Sequence, residues 1–405
     1  MPLANSAACF LAIATAVAFA TPAATQATQP ATAQPSTDTA TPQPELPAPA
    51  TLPDADAVLT RIAFGSCFNQ TGGYNDAQRA NDFNPFTAVL DDRPDLFLFI
   101  GDNMYADLDR RERPVTIDDI HTAYAELAAR PGFAALYAEV PILATWDDHD
   151  FGLNDAGVEL PFKADSQAAL LDFFGDPADS PRRSRDGVYG AWAFGPPGRR
   201  TQVILLDTRF FRSPMVVEQI DGRRHYVPND DPAATVLGDE QWRWLEAKLR
   251  EPADLRLIAS SIQVVAGEHR FEKWANFPLQ RQRLFDLITE TQANGVVFLT
   301  GDRHHWELSA DRVDASYPLF DLTSSGLNQG SPSVNREPNR HRIGSDFAYR
   351  HPNFGTVEID WGTSPPIVTL SILSTRDGST MLAYPLLLDT LQPPATPTPT
   401  ETPAE

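Results

Sequence analysis

The chain has 405 residues, with 32 basic and 54 acidic side chains and a formal net charge of -22. That balance argues against a nucleic-acid backbone as the main partner. It leaves small phosphate esters open, because bound cations invert the local sign inside a pocket.

From the N-terminus, the apolar run A-A-C-F-L-A-I-A-T-A-V-A-F-A is followed by small residues. It reads as a secretory signal peptide over residues 1–27, cleaved near Ala18-Phe19-Ala20 or closer to Ala27, although no Lys or Arg precedes it. The expected location is therefore exported: periplasmic, cell-surface or secreted. No second long apolar run follows, so no transmembrane segment is expected. Residues 28–57 are rich in Pro, Thr and Ala and read as a linker, and residues 391–405 as a disordered tail. One folded domain is expected over residues 58–390, with a hydrophobic content of 42% ample for its core. Loss of the leader removes Cys9 and leaves Cys67 alone, which suggests chemistry or a buried thiol rather than a disulfide.

Within the domain, residues 58–65 predict the first strand and 86–90 a short helical stretch. Residues 96–100, L-F-L-F-I, are continuously apolar, as in a strand covered on both faces. Residues 116–130 carry apolar side chains at helical spacing and stop before Pro131. A strand over 140–145 and a helix over 166–174 follow, then a Gly-, Pro- and Arg-rich surface loop over 175–200. Residues 203–206 predict a strand, 212–237 an insertion overhanging the pocket, and 239–250 a helix with acidic residues first and basic ones last. The strand–helix–strand rhythm repeats at 255–259, 281–292 and 295–299. Strands at 319–323, 354–360 and 367–373 then lack intervening helices, so the C-terminal third is expected to be antiparallel. Periodicity alone gives a mixed α/β class.

Six of these strand-like runs end in polar or metal-seeking clusters. They deliver Cys67, Asp102 with Tyr105, Asp147 to Asp150, Asp207 with Arg209, Ser260 to Gln263, and Asp302 with His304. Ligands of an open α/β sheet gather outside the carboxyl ends of its strands, so these ends describe one shared pocket. A carboxylate such as Asp102 can bridge two cations, and a phenolate such as Tyr105 is a hard ligand that Fe(III) accepts. Three carboxylates with His149 after a buried strand repel one another unless a cation or several donors compensate. His149 suits a metal ligand or a general acid. Asp302 and His304 point the same way if the chain stays extended there, with His305 turned aside. Arg209 suits a phosphate, and a surface pair with Asp207 suits it equally. A thiolate at Cys67 would be held by a cation. Each motif also has a bland reading, as a tight turn, an acidic surface loop or a core tyrosine. No cysteine-phosphatase loop, nucleophile elbow, Walker loop, H-E-x-x-H helix or dinucleotide glycine motif follows a strand.

In this order, F-G-S-C, I-G-D-N-M-Y-A-D, T-W-D-D-H-D, L-D-T-R with G-D-E-Q-W-x-W-L downstream, and T-G-D-R-H resemble the PhoD-type alkaline phosphatases of the calcineurin-like metallophosphoesterase superfamily. The likeness covers Arg61 to about His305. It implies a four-layer α/β/β/α sandwich of two mixed sheets and a metal-dependent, exported phosphoesterase acting on small phosphate esters. It also implies that Cys67, Asp102, Tyr105 and His304 hold an Fe(III)-like ion, with Cys67 in place of the superfamily's usual carboxylate. Asp102 would bridge to a second site with Asp148 and Asp302, occupied by Ca(II). His149 and Arg209 would stabilise charge on the phosphoryl and leaving oxygens. G-D-x-x-Y also resembles purple acid phosphatases, where the tyrosine binds iron. Two departures stand out: a linker replaces the N-terminal β domain of larger members, and no helical C-terminal extension is visible, which implies a more open site. The alternatives are a phosphodiesterase or phospholipase D-like enzyme on lipid head groups, and a catalytically silent calcium-binding surface protein.

Overall fold

The computed structural model describes residues 46–72, 84–108, 113–312, 314, 316–330, 334–344 and 348–393. The expected signal peptide, the linker up to residue 45 and the tail from residue 394 lie outside the described residues.

Two large sheets form around parallel centres. In the first, β1 (Arg61–Gly65), β2 (Leu96–Ile100) and β3 (Ile142–Thr145) are parallel. Antiparallel β14 (Asn353–Asp360), β15 (Ile367–Ser374) and β16 (Thr380–Leu387) extend it on the β1 side. In the second, β5 (Thr201–Leu205), β8 (Leu255–Ser260), β9 (Val296–Thr300) and β11 (Leu319–Ser324) are parallel. It is flanked by β4 (Gly190–Phe194) at one edge and by β10 (Trp306–Asp311), β13 (Ala348–Tyr349) and β12 (Val334–Asn335) at the other. A separate hairpin, β6 (Val216–Ile220) with β7 (Arg223–Val227), pairs with neither sheet.

Strand alternation decides which sheet face meets what. Ile62, Phe64, Leu96, Leu98 and Ile100 share one apolar cluster with Val203, Leu257 and Leu299 of the second sheet. Ala63, Phe97 and Phe99 belong instead to a cluster with Phe86, Leu127, Phe133 and Leu170. Those four come from α1 (Pro85–Asp92), α2 (Ile117–Ala128), α3 (Pro131–Glu139) and α5 (Lys163–Phe173). Trp242 and Leu245 of α6 (Gly238–Leu249), and Leu284 and Ile288 of α7 (Pro278–Glu290), pack with the second sheet. The order is helices, sheet, sheet, helices, as the resemblance implied.

Some elements differ from the sequence reading. Residues 175–200 are not one loop, because they contain a short helical turn, Pro181–Arg183, and the edge strand β4. Arg182 is buried there, donating to Val188 O at 2.8 Å and Ala144 O at 2.7 Å. The C-terminal third is antiparallel in β14 to β16, but β11 runs parallel to β9. The linker packs from residue 46 onward, with Ala50 N donating to Tyr137 O and Gly195 N to Ala55 O, each at 2.9 Å. Leu391, placed in the tail, is fully buried and accepts from Gly295 N at 2.7 Å.

Candidate active site

Every parallel strand ends on the same edge of its sheet, and the loops leaving those ends meet in one cleft of about 1200 Å³. The first sheet contributes Asp102 and Tyr105 after β2, and Asp148 and His149 on the one-turn helix α4 (Asp148–Phe151) after β3, with Cys67 after β1 fully buried just behind the lining. The second contributes Asp302 and His304 after β9.

Buried Asp150 ties the first-sheet loops together, accepting from Asp102 N at 3.2 Å, Asn103 N at 3.3 Å and Asp147 N at 2.7 Å. Gly101, at φ 113°, allows the close approach, since a Cβ there would stand 2.6 Å from Asp147 Cβ. Gln70 clamps the backbone of Tyr105 from both sides, donating to its carbonyl at 3.0 Å and accepting from its N–H at 2.9 Å. Ser325 links the two sheets: its hydroxyl accepts from His304 N at 2.8 Å and lies 3.1 Å from Cys67 Sγ.

Among the described residues three groups of ligand atoms result, each within 4.8 Å of one another: Cys67, Asp102 and His304; Asp102, Asp148 and His149; and Asp148, Asp155 and Glu272. Tyr105 Oη joins the first, 3.2 Å from Asp102 Oδ2 and 3.0 Å from His304 Nε2. Asp302 lines the same cleft outside these three groups. Cys67, Asp102, Asp302 and His304 all have φ between 49° and 68°. Asp302 and His304 therefore reach the cleft from left-handed backbone, not from the extended chain the sequence suggested. Such conformations cost of order 1 kcal/mol each and mark sites held by their surroundings. His305 turns away, with Nδ1 2.9 Å from Arg303 O and Nε2 3.5 Å from Glu307.

Burial dominates the electrostatics. It pushes the Cys67 thiol up to about 12. It raises Asp102 and Asp302 well above the usual carboxylate range, with neighbouring acidic groups adding to the effect. It lowers His304 to about 3, helped by the charges of Arg303, His149 and Arg350, so the imidazole is neutral and its nitrogen can act as a ligand. At His149 burial also pulls downward but is outweighed by Asp148, Asp107 and Asp147, which carry it up to about 9. Asp107 holds His149 Nδ1 at 2.5 Å and is itself fixed by Asn154 N at 3.0 Å.

Cations suit this donor set. Asp148 Oδ1 and Asp302 Oδ2 are buried without a hydrogen-bond partner among the described residues. Thiolate, phenolate, imidazole and carboxylate together are a transition-metal donor set, and an all-carboxylate group such as Asp148, Asp155 and Glu272 suits a hard divalent ion.

Arg209 lies elsewhere. It is fully buried outside the cleft lining, its Nε 2.6 Å from Asp147 Oδ1 and its Nη1 2.6 Å from Glu272 Oε2. Its guanidinium is committed to these carboxylates, so neither the phosphate contact nor the surface pair expected of it is available. Asp207 is also buried and instead accepts from Trp146 Nε1 and from the amides of Arg209 and Phe210, each at 2.9 Å. His269 is buried as well, outside the cleft lining.

The sequence reading missed Asp107, Asp155 and Glu272, and the cleft arginines Arg113, Arg224, Arg270, Arg303 and Arg350. Asp155 falls seven residues after Asp148, and its N–H donates to Asp148 Oδ2 at 2.6 Å, a spacing that could have flagged it. Glu272 sits in the charged run G-E-H-R-F-E-K, which follows no strand end directly.

Alkaline phosphatase D of Bacillus subtilis (strain 168) is 25% identical over 312 residues, which are 68% of this chain and 50% of that relative. The chain thus spans about half the length of that curated protein. A solved PhoD structure matches with TM-score 0.60 at 19% identity, covering 83% of this chain and 73% of that one. A purple acid phosphatase from yellow lupin (Lupinus luteus) seeds matches with TM-score 0.52 at 11% identity, covering 84% and 55%. These two likenesses establish a shared fold. The model of the PhoD-like phosphatase family matches residues 62–360, from β1 to the end of β14, and the chain belongs to that family.

Proposed function

We propose that this protein is an exported, metal-dependent phosphoesterase that hydrolyses phosphomonoesters. The observation that carries the reading is the convergence of Cys67, Asp102, Tyr105 and His304 beside Asp102, Asp148 and His149, with Asp102 common to both groups. Under this reading the first group holds Fe(III), and Asp148, with Asp302 nearby and Asp155 and Glu272 beyond, holds Ca(II). When bound, such cations polarise phosphoryl oxygens and supply a water of lowered pKa.

The chain's own residues do the rest. Asp107 grips His149 through Nδ1, which leaves the other ring nitrogen to carry a proton toward the leaving oxygen. The Tyr105 ring lies against that imidazole, with centroids 4.1 Å apart, and fixes its plane. Arg209 contributes indirectly, as the counter-ion that lets Asp147 stay buried and, together with Arg212, neutralises Glu272 in the cleft wall. Export rests on the N-terminal apolar run.

Asp102→Ala is expected to remove bound metal, read by elemental analysis, and to abolish hydrolysis of a nitrophenyl phosphate. Full turnover in that variant would end the assignment. Bis-ester turnover exceeding mono-ester turnover would favour the diesterase alternative. Purified protein that binds calcium but lacks iron, visible absorption and turnover would favour the silent one.

A further inference from the structure

Among the described residues five guanidiniums line the cleft, and three already face carboxylates. Arg113 donates to Asp119 at 2.7 Å, Arg303 to Glu337 at 2.7 Å, and Arg224 lies 3.8 Å from Asp155. Arg270 and Arg350 have no carboxylate partner among the described residues.

Each springs from backbone fixed by its neighbours. Arg270 donates to Arg224 O at 3.1 Å, accepts from Tyr226 N at 2.8 Å, and lies 4.3 Å from the centroid of Phe271. The same ring carries Arg303 at 3.8 Å, and Arg303 in turn lies 3.5 Å from Asp302. Arg350 lies close enough to His304 for its charge to act on that imidazole, and the backbone around it is tied to the turn after β11. Asn353 donates to His351 O at 2.7 Å and, through its backbone, to Gly326 O at 2.9 Å, in the turn that begins with Ser325. A Cβ at Gly330 would stand 2.5 Å from Arg350 O, so that turn and Arg350 are in close contact. Arg350 Nε is buried with no hydrogen-bond partner among the described residues.

Two guanidiniums without a carboxylate partner among the described residues, carried into one acid-rich cleft by different loops in a chain of net charge -22, constitute two anion-binding points. We propose that the cleft takes phosphoesters whose leaving group carries a second phosphate: Arg350 binds the phosphoryl group that is hydrolysed, and Arg270 binds the second. This deepens the phosphoesterase reading and rests on it.

The test compares propyl phosphate with propane-1,3-diol bisphosphate as substrates of the metal-loaded protein. Calorimetric affinities for propylphosphonate and propane-1,3-bisphosphonate give a readout that needs no turnover. The doubly charged member of each pair is expected to win by about tenfold or more, beyond the twofold that two equivalent phosphates give statistically. Arg270→Ala is expected to collapse that ratio to about two, and Arg270→Lys to retain part of it. Arg350→Ala is expected to weaken both members together and preserve the ratio. Unfolding temperatures confirm that each variant is folded, and Arg270→Lys decides the matter if Arg270→Ala is not. A wild-type affinity ratio near two, or a ratio that survives Arg270→Ala, overturns the assignment. If neither ester is hydrolysed while the bisphosphonate is still preferred, the hydrolytic reading fails and the two anion-binding points stand.

Discussion

Arg209 serves two acids at once, Asp147 and Glu272, in a region closed to solvent. Burial drives Asp147 up to about 7 even with that guanidinium opposing it. Removing one partner of a buried ion pair leaves an uncompensated charge, which costs about 3–5 kcal/mol. Arg209→Met is therefore expected to lower the urea midpoint of unfolding by a corresponding amount. An unchanged midpoint would show that the pairing is dispensable. The residue also marks a limit of the sequence. The cluster L-D-T-R put an arginine at the right strand end, but which way it turns depends on Glu272, sixty-three residues later in a loop. Asp102, Tyr105, Asp148, His149, Asp302 and His304, with Cys67 behind them, were easier to bring together, because each follows a parallel strand closely and such strands end on one edge. Asp155 and the cleft arginines come from loops whose paths no local pattern encodes.

Among the elements, the β6–β7 hairpin stands apart from both sheets yet lends Arg224 and Tyr226 to the cleft wall. It is fastened to the Arg270–Asn276 segment, with Asn276 Nδ2 donating to Tyr226 O at 2.8 Å. Replacing residues 216–227 with a short Gly-Ser turn is expected to leave the sheets intact and the circular dichroism spectrum nearly unchanged. The Michaelis constant for a phosphate ester should rise by about tenfold, the order expected for losing a charge-assisted contact. Cooperative loss of the whole fold would show instead that the hairpin is structural. Strands buried on both faces were legible as continuous apolar runs, β2 above all. The hairpin was not: β6 is exposed along its whole length, and no buried face imposes a period on V-V-E-Q-I. β10 and β16 escaped for a related reason, since W-E-L-S-A-D mixes polar groups into a buried strand and T-M-L-A-Y-P-L-L contains a proline.

For the molecule as a whole, the cleft concentrates buried carboxylates whose ionisation is opposed by burial and by one another. Cations that bind only the folded state stabilise it by mass action, by about 4 kcal/mol when free ion exceeds its dissociation constant a thousandfold. Chelation of the purified protein is expected to lower its unfolding temperature by roughly 5 °C, recovered on adding the metals back. A melting curve indifferent to chelator would speak against cations as part of the native state. Because the thiol and phenol come from one sheet and the imidazole from the other, the packing between the sheets also acts as a caliper for the candidate ligand atoms. Leu98 and Leu299, buried in that seam on the strands that carry Asp102 and Asp302, thereby take part in setting the spacing of the donor atoms. Trimming either one would be felt as slower turnover or looser ion affinity before it was felt as a broken fold.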